Sequence, residues 1–285
     1  MLELLKLQRL LYSKAKKVQY ISVLVIFIIT ISFLIINHFF TNDVLWIYSV
    51  VFAAIAFIAQ FIIDFIVSSE KKTAAGIQQK YDHCVLGVQL NYPGWYIPDN
   101  ETLANLGIKY KQKTLPNLEN WYSDYSNLPE KQQILRCQSE NIRWDAELRG
   151  KMLWIVTILT AILVLVAILL AIPFKSVYQM VAIFTWIAPI LKYSISTVVN
   201  LYKDRKQLDV LAIELKDIQN IPDPEAKKKA DDIQLLIWQH RSKCFLIPDF
   251  IYKKDRGTRQ QTEDLIACTY NKSSNKEQDD EGGNK

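Results

Sequence analysis

Residues 137–163 read CQSENIRWDAELRGKMLWIVTILTAIL, where a segment crowded with charges runs into one of the most apolar stretches of the chain. No proline separates the two halves. Asp145 and Arg149, and Glu147 and Lys151, are acid-before-base pairs at i,i+4, each favouring a helix by ~0.2–0.5 kcal/mol. At helical spacing Cys137, Asn141, Trp144 and Leu148 form one stripe, with Asp145 beside Trp144. The spacing predicts a helix from near Pro129, capped by Ser126 or Asn127, that continues to Pro173, a length of about 66 Å. Gly150 weakens it by ~1 kcal/mol relative to alanine without breaking it. A polar helix therefore enters a membrane without a joint.

Working outward, half of the 285 residues are hydrophobic while mean hydropathy is only +0.05, so the apolar residues are concentrated. They fall into four runs, Val18–Phe40, Val44–Val67, Met152–Phe174 and Val177 to about Tyr202. Each is long enough for a hydrocarbon core of about 30 Å. The first exceeds a signal-peptide core of roughly 7 to 15 residues and ends in INHFF, without a small-residue cleavage site. The connections near 41–43 and 173–175 are short, which predicts two hairpins. Lys and Arg gather before span one, at both ends of the central segment and after span four. The positive-inside rule then places both termini and the central segment in the cytoplasm, in a multi-pass protein of the cell inner membrane.

The expected organisation follows from these boundaries. Residues 1–17 form a basic amphipathic helix, lying either on the membrane surface or against the protein's own cytoplasmic domain. Residues 18–67 are the first transmembrane hairpin and 151–202 the second. Residues 68–150 and 203–270 are cytoplasmic, and the polar, low-complexity residues 271–285 are read as disordered. HCVLGVQLNYPGWYIP, from His83, suggests a short strand and a loop, and PDNETLANLG a capped helix ending at Gly107. Leu208, Leu211, Leu215 and Ile218 continue span four as a helical stripe. The fold class is thus a mainly α membrane protein whose mostly helical cytoplasmic domain contains at most a short strand.

No nucleotide-cradling, nucleophile-elbow or zinc-protease signature is present, which argues against an enzyme. The four cysteines lie on the reducing side, and His83 with Cys84 offers two ligands only, so neither disulfides nor a metal site is expected. The spans say more. Asp64 and Lys192 are ionisable residues at membrane depth, where a charge needs a partner, water or the interface. Ser49, Ala53, Ala56, Gln60 and Asp64 share one face of span two; Thr185, Pro189, Lys192, Ser196 and Asn200 share one face of span four. Such faces serve helix packing or line wet paths, and whether Asp64 and Lys192 pair or snorkel stays open. Pro189 marks a hinge beside Lys192, making Gln60, Asp64, Pro189 and Lys192 the gating candidates.

Four stretches carry a resemblance: LQRLLYSKAK before span one, IQQKYDHCVLGVQLN after span two, CQSENIRWDAELR before span three, and LIPDFIYKKDRGTRQQTEDL near the C-terminus. They resemble the SMODS-associating four-transmembrane effector family. In its third motif Cys137, Gln138, Asn141, Trp144, Asp145, Leu148 and Arg149 stand where the family has them; in its second, Leu90 replaces a frequent tryptophan. The resemblance implies an anti-phage effector that responds to a cyclic nucleotide made by a partner synthase and compromises the inner membrane. The expected partners are the lipid bilayer, that cyclic nucleotide and further copies of the chain, with no cofactor and no nucleic acid polymer.

A nucleotide needs cationic and stacking groups, for which Arg136, Arg143, Arg149, Trp121, Tyr122 and Trp238 are the candidates. Cys137, Gln138, Asn141, Trp144, Asp145 and Arg149 form the expected signal-coupling motif. Packing of that motif against the cytoplasmic domain is favoured over direct ligand contact, and Trp144 reads equally as an interfacial anchor. A four-helix bundle fills its own core, so a pore requires oligomers. The alternative function is a membrane-anchored scaffold that recruits a cytoplasmic partner and forms no pore.

Overall fold

Neither proline nor glycine interrupts residues 2–39, and in the computed structural model they form one helix, α1 (Leu2–Phe39). The structure describes residues 1–39, 45–90, 94–113, 118, 121–172, 177–218 and 223–282. Within them follow α2 (Leu45–Leu86), α3 (Asn100–Tyr110), α4 (Glu130–Ala171), α5 (Val177–Ile218), α6 (Asp223–Lys243) and α7 (Asp249–Gly282). The connections near 41–43 and 173–175, on which the hairpin reading rests, lie outside the described residues. α1 packs along α2 and α4 along α5, and α2 and α1 both touch α5.

Among the described residues, three helices are long and apolar enough to cross a membrane by length and composition: Leu2–Ser32, Val50–Leu86 and Glu130–Leu169. Their apolar faces lack protein cover: Phe61, Phe65 and Trp154 are 77, 73 and 70% exposed. Uncovered apolar length on this scale suits a bilayer, and the chain is a membrane protein. The other ends of these helices, with α3, α6 and α7, build a polar body. Its largest core joins Leu86 and Val88, the start of α4 around Ile134 and Ile142, the end of α5, and α6. The α5 stripe Leu208, Leu211, Leu215 and Ile218 is helical, as the spacing predicts, and is buried there.

The helices α1 and α4 cross from body to apolar segment without interruption. α4 spans about 63 Å. α1 passes residue 17 unbroken, and Leu7, Leu10 and Leu11 pack on Ala74, Ile77 and Tyr110, which decides the N-terminal helix in favour of packing on its own body. A Cβ on Gly150 would lie 2.3 Å from the Arg205 guanidinium, so this glycine is the gap through which α5 reaches across α4.

Several local expectations are corrected. No strand occurs among the described residues. Gly87, at φ +66°, ends α2 with its N–H bonded to the His83 carbonyl. Side chains then satisfy the extended segment: Gln89 N–H donates to Asp231, and its carbonyl accepts from Gln79. Asp99 caps α3 by accepting from Thr102 N–H at 2.7 Å, but the helix runs through Gly107 to Tyr110. Burial of Tyr110 against α1 outweighs the ~1 kcal/mol glycine penalty. Pro129 itself, without a side-chain cap bond, precedes α4 in place of Ser126 or Asn127. α7 runs to Gly282; near residue 271 Tyr270 lies under Arg136 and Asn271 donates to the Asp124 carbonyl.

Candidate functional site

The polar body contains a cavity of about 250 Å³ whose walls come mainly from α1, α4, α6, the start of α7 and the segment between α6 and α7. Cations on it are Arg9, Lys16, Arg149 and Arg241, facing the acids Glu140, Asp145 and Asp249; aromatic side chains are Tyr12, Trp121, Trp144, Phe245 and Tyr252. The helical spacing puts Asn141, Trp144, Asp145, Leu148 and Arg149 on one face of α4, and that face is a wall of the cavity.

Arg149 is fully engaged. Its guanidinium donates to Asp145 at 3.0 Å, to Asp204 of α5 at 2.7 Å and to the Phe245 carbonyl at 3.0 Å. Asp145 also meets Nε2 of His240 at 2.8 Å. Other nitrogen groups retain capacity. Nη1 of Arg9, Nη2 of Arg241 and Nδ1 of His240 are buried without a hydrogen-bond partner. Each such group forfeits ~1–3 kcal/mol unless a partner is supplied. Arg9 sits over the Tyr252 ring at 5.1 Å, and Trp144 lies 6.0 Å from the same ring. Burial pushes the Cys244 thiol up despite Arg149 nearby, so this cavity residue is no thiolate nucleophile.

Behind the cavity lies a buried polar network. Asp82, fully buried, accepts from Tyr122 at 2.7 Å, Gln234 at 3.0 Å and Arg241 at 2.5 Å. Gln138 donates to Gln234 at 3.0 Å and to the Ala230 carbonyl, and Asn141 donates to the Tyr122 hydroxyl at 2.9 Å. The expected coupling motif thus divides: Cys137 and Gln138 sit in the core between α4 and α6, while Asn141, Trp144, Asp145 and Arg149 face the cavity.

Of the expected ligand residues, Arg149 and Trp121 line this cavity and the others have different places. Arg143 forms a two-pronged pair with Glu263 of α7. Arg136 stacks 3.5 Å from the Tyr270 ring centre, Trp238 stacks on Trp95 at 5.0 Å, and Tyr122 belongs to the Asp82 network. Arg9, Tyr12, His240, Arg241 and Tyr252 were not singled out by the sequence. Arg9 and Tyr12 do lie in LQRLLYSKAK, one of the stretches carrying the resemblance.

The segment between α6 and α7 ties the body to the long helices. Phe245 N–H donates to Asp204 at 2.8 Å, and Lys71 of α2 donates to the carbonyls of Lys243 and Cys244 at 3.0 Å. The Leu246 carbonyl accepts from Tyr20 of α1, and the Phe245 carbonyl accepts from Arg149 of α4. Helices α1, α2, α4 and α5 are thus all buckled to one short segment that is itself a cavity wall.

A second cavity, about 400 Å³, lies among α1, α2 and α5 where they leave the body. Gln60, Asp64, Pro189 and Lys192, the expected gating residues, all line it. Asp64 accepts from Gln60 at 2.9 Å, while Lys192 rests 4.1 Å from the Phe57 ring centre. Asp64 and Lys192 form no ion pair with each other among the described residues. The Ser49 side chain lies outside the described residues.

Taken together, this is a helical membrane protein whose polar body holds a cationic, aromatic-walled cavity wired to every long helix. Over residues 1–266 the chain matches the SMODS-associating 4TM effector domain, and it belongs to that family. No match is found among curated proteins or among solved structures.

Proposed function

We propose that the body cavity receives a cyclic oligonucleotide and that its occupation releases the long helices to permeabilise the inner membrane. The observation that carries this is the set of unpartnered nitrogens on Arg9, Arg241 and His240 in an aromatic-walled cavity. Phosphate oxygens would complete the guanidinium bonds, and Tyr252 or Trp121 would take a base by stacking, worth ~1–3 kcal/mol per base.

At about 250 Å³ the cavity is below the ~300–1,000 Å³ of ordinary ligand pockets, so a cyclic oligonucleotide must widen it. Widening displaces the segment around Phe245. The displacement reaches Asp204, Lys71, Tyr20 and Arg149 through the bonds already described, with no flexible joint in α1 or α4 to absorb it. Pro189 of α5 cannot donate a backbone bond and serves as the yielding point. In this reading α5 is the fourth span, the helices form two hairpins, and termini and body are cytoplasmic. A pore then forms by association of several chains.

The test is calorimetric titration of the detergent-solubilised full chain with a panel of cyclic di- and trinucleotides. One member should bind, and Arg9→Ala should weaken it about 10–100-fold, the loss of a charge-assisted phosphate bond. No binding by any member would contradict the proposal and favour a membrane-anchored scaffold.

A further inference from the structure

The second cavity holds more positive charge than its surroundings neutralise. Lys71, Lys192, Lys203 and Lys243 line it, against Asp64 and Asp204. Asp204 is held by Arg149, and Lys71 is bonded to backbone carbonyls. Lys192, Lys203 and Lys243 have no carboxylate partner among the described residues, and Asp64 alone is left to offset them.

Position matters as much as charge. Asp64 lies about 10 Å of helix beyond Lys71, and Lys192 about 16 Å beyond Lys203, measured away from the body. The cavity therefore reaches from the edge of the body to the depth of the lipid headgroups and the first acyl carbons. Asp64, Lys192, Ser196 and Asn200 are exposed at this depth, where a bare charge in contact with acyl chains is unfavourable. Oε1 of Gln60 is buried there with no donor to bond.

We infer that this cavity binds the headgroup of an anionic phospholipid from the cytoplasmic leaflet, its phosphate against Lys192, with Lys203 and Lys243 adding attraction from the body edge. A headgroup hydroxyl then donates to Gln60 Oε1 or Asp64. Phosphatidylglycerol has this chemistry: one net negative charge and free hydroxyls. The inference rests on the membrane placement of α1, α2 and α5, and not on nucleotide binding in the body cavity.

The test is native mass spectrometry and thermal unfolding of the full chain in detergent, with phosphatidylglycerol, phosphatidylcholine, glycerol phosphate or inorganic phosphate added. Phosphatidylglycerol should stay bound at one per chain and raise the unfolding temperature; phosphatidylcholine and the two soluble phosphates should do neither. A double variant, Lys192→Met with Lys203→Met, should lose retention at least tenfold, and Ser196→Leu, which narrows the cavity without changing charge, should also reduce it. Equal retention of both lipids by the wild-type chain overturns the site, whether or not the variants fold. Equal protection by soluble phosphate overturns the lipid as its occupant. Insertion into vesicles, checked by resistance to alkaline extraction, separates the two levels: inserted protein without lipid preference removes this site alone, whereas failure to insert removes the membrane placement too.

Discussion

Gly76 lies where the chain before α3 crosses α2, and a Cβ there would stand 2.3 Å from the Tyr96 carbonyl oxygen and 2.8 Å from the Pro98 ring. Both obstacles are backbone-anchored, so Gly76→Ala should destabilise the body by about 1–3 kcal/mol, the usual range for overpacking. Thermal unfolding in detergent checks this, with Gly107→Ala as the control: nothing lies within 4 Å of a Cβ at Gly107. Tyr122 gives a pH prediction. Burial, and then the charge of Asp82, hold its hydroxyl well above the ordinary tyrosine value. A raised folded value means the stabilising contribution is complete below about pH 10, where the unfolded tyrosine is also neutral. It is lost as pH rises from there towards the folded value, by up to about 1.4 kcal/mol per pH unit for one group. Unfolding temperatures of the chain should therefore fall above pH 10, and Tyr122→Phe should fall less steeply.

At the scale of elements, the buckle between α6 and α7 is the joint on which the proposed mechanism turns. Arg149→Ala would leave Asp145 and Asp204 without their common cation, a change expected to cost about 3–5 kcal/mol. Arg149→Lys should recover only part of that, since one ammonium cannot serve Asp145, Asp204 and the Phe245 carbonyl in the same planar geometry. Both are measurable by denaturation of the solubilised chain. The unbroken course of α4 was legible in residues 137–163, because charge pairs and the lack of a breaker are local properties. The limits of α3 and α7 were not. Tyr110 extends α3 because α1 covers it, and Tyr270 steadies α7 because Arg136 stacks on it, both of them tertiary effects. The strand expected after His83 failed for a related reason, since Gln79 and Asp231 satisfy a backbone that would otherwise need a neighbouring strand.

For the whole molecule, the two cavities differ in how far sequence could reach them. Gln60, Asp64, Pro189 and Lys192 are anomalies against an apolar background, and all of them line the second cavity. The body cavity has no such contrast, since charged and aromatic residues are ordinary there. Its walls also join distant parts of the chain: the Tyr12 hydroxyl bonds the Arg241 carbonyl across 229 positions. Arg143 and Arg136 matched the expected ligand chemistry but face α7 instead, where they are satisfied by Glu263 and Tyr270. The central claim is that occupation of the body cavity opens a path across the bilayer. It is tested most directly by dye and ion release from liposomes carrying the purified chain, with cyclic di- and trinucleotides added singly. Release on addition of one member, abolished by Arg9→Ala in protein that still inserts, is the predicted result. Binding of a member without release, at any protein density in the liposomes, would contradict the claim.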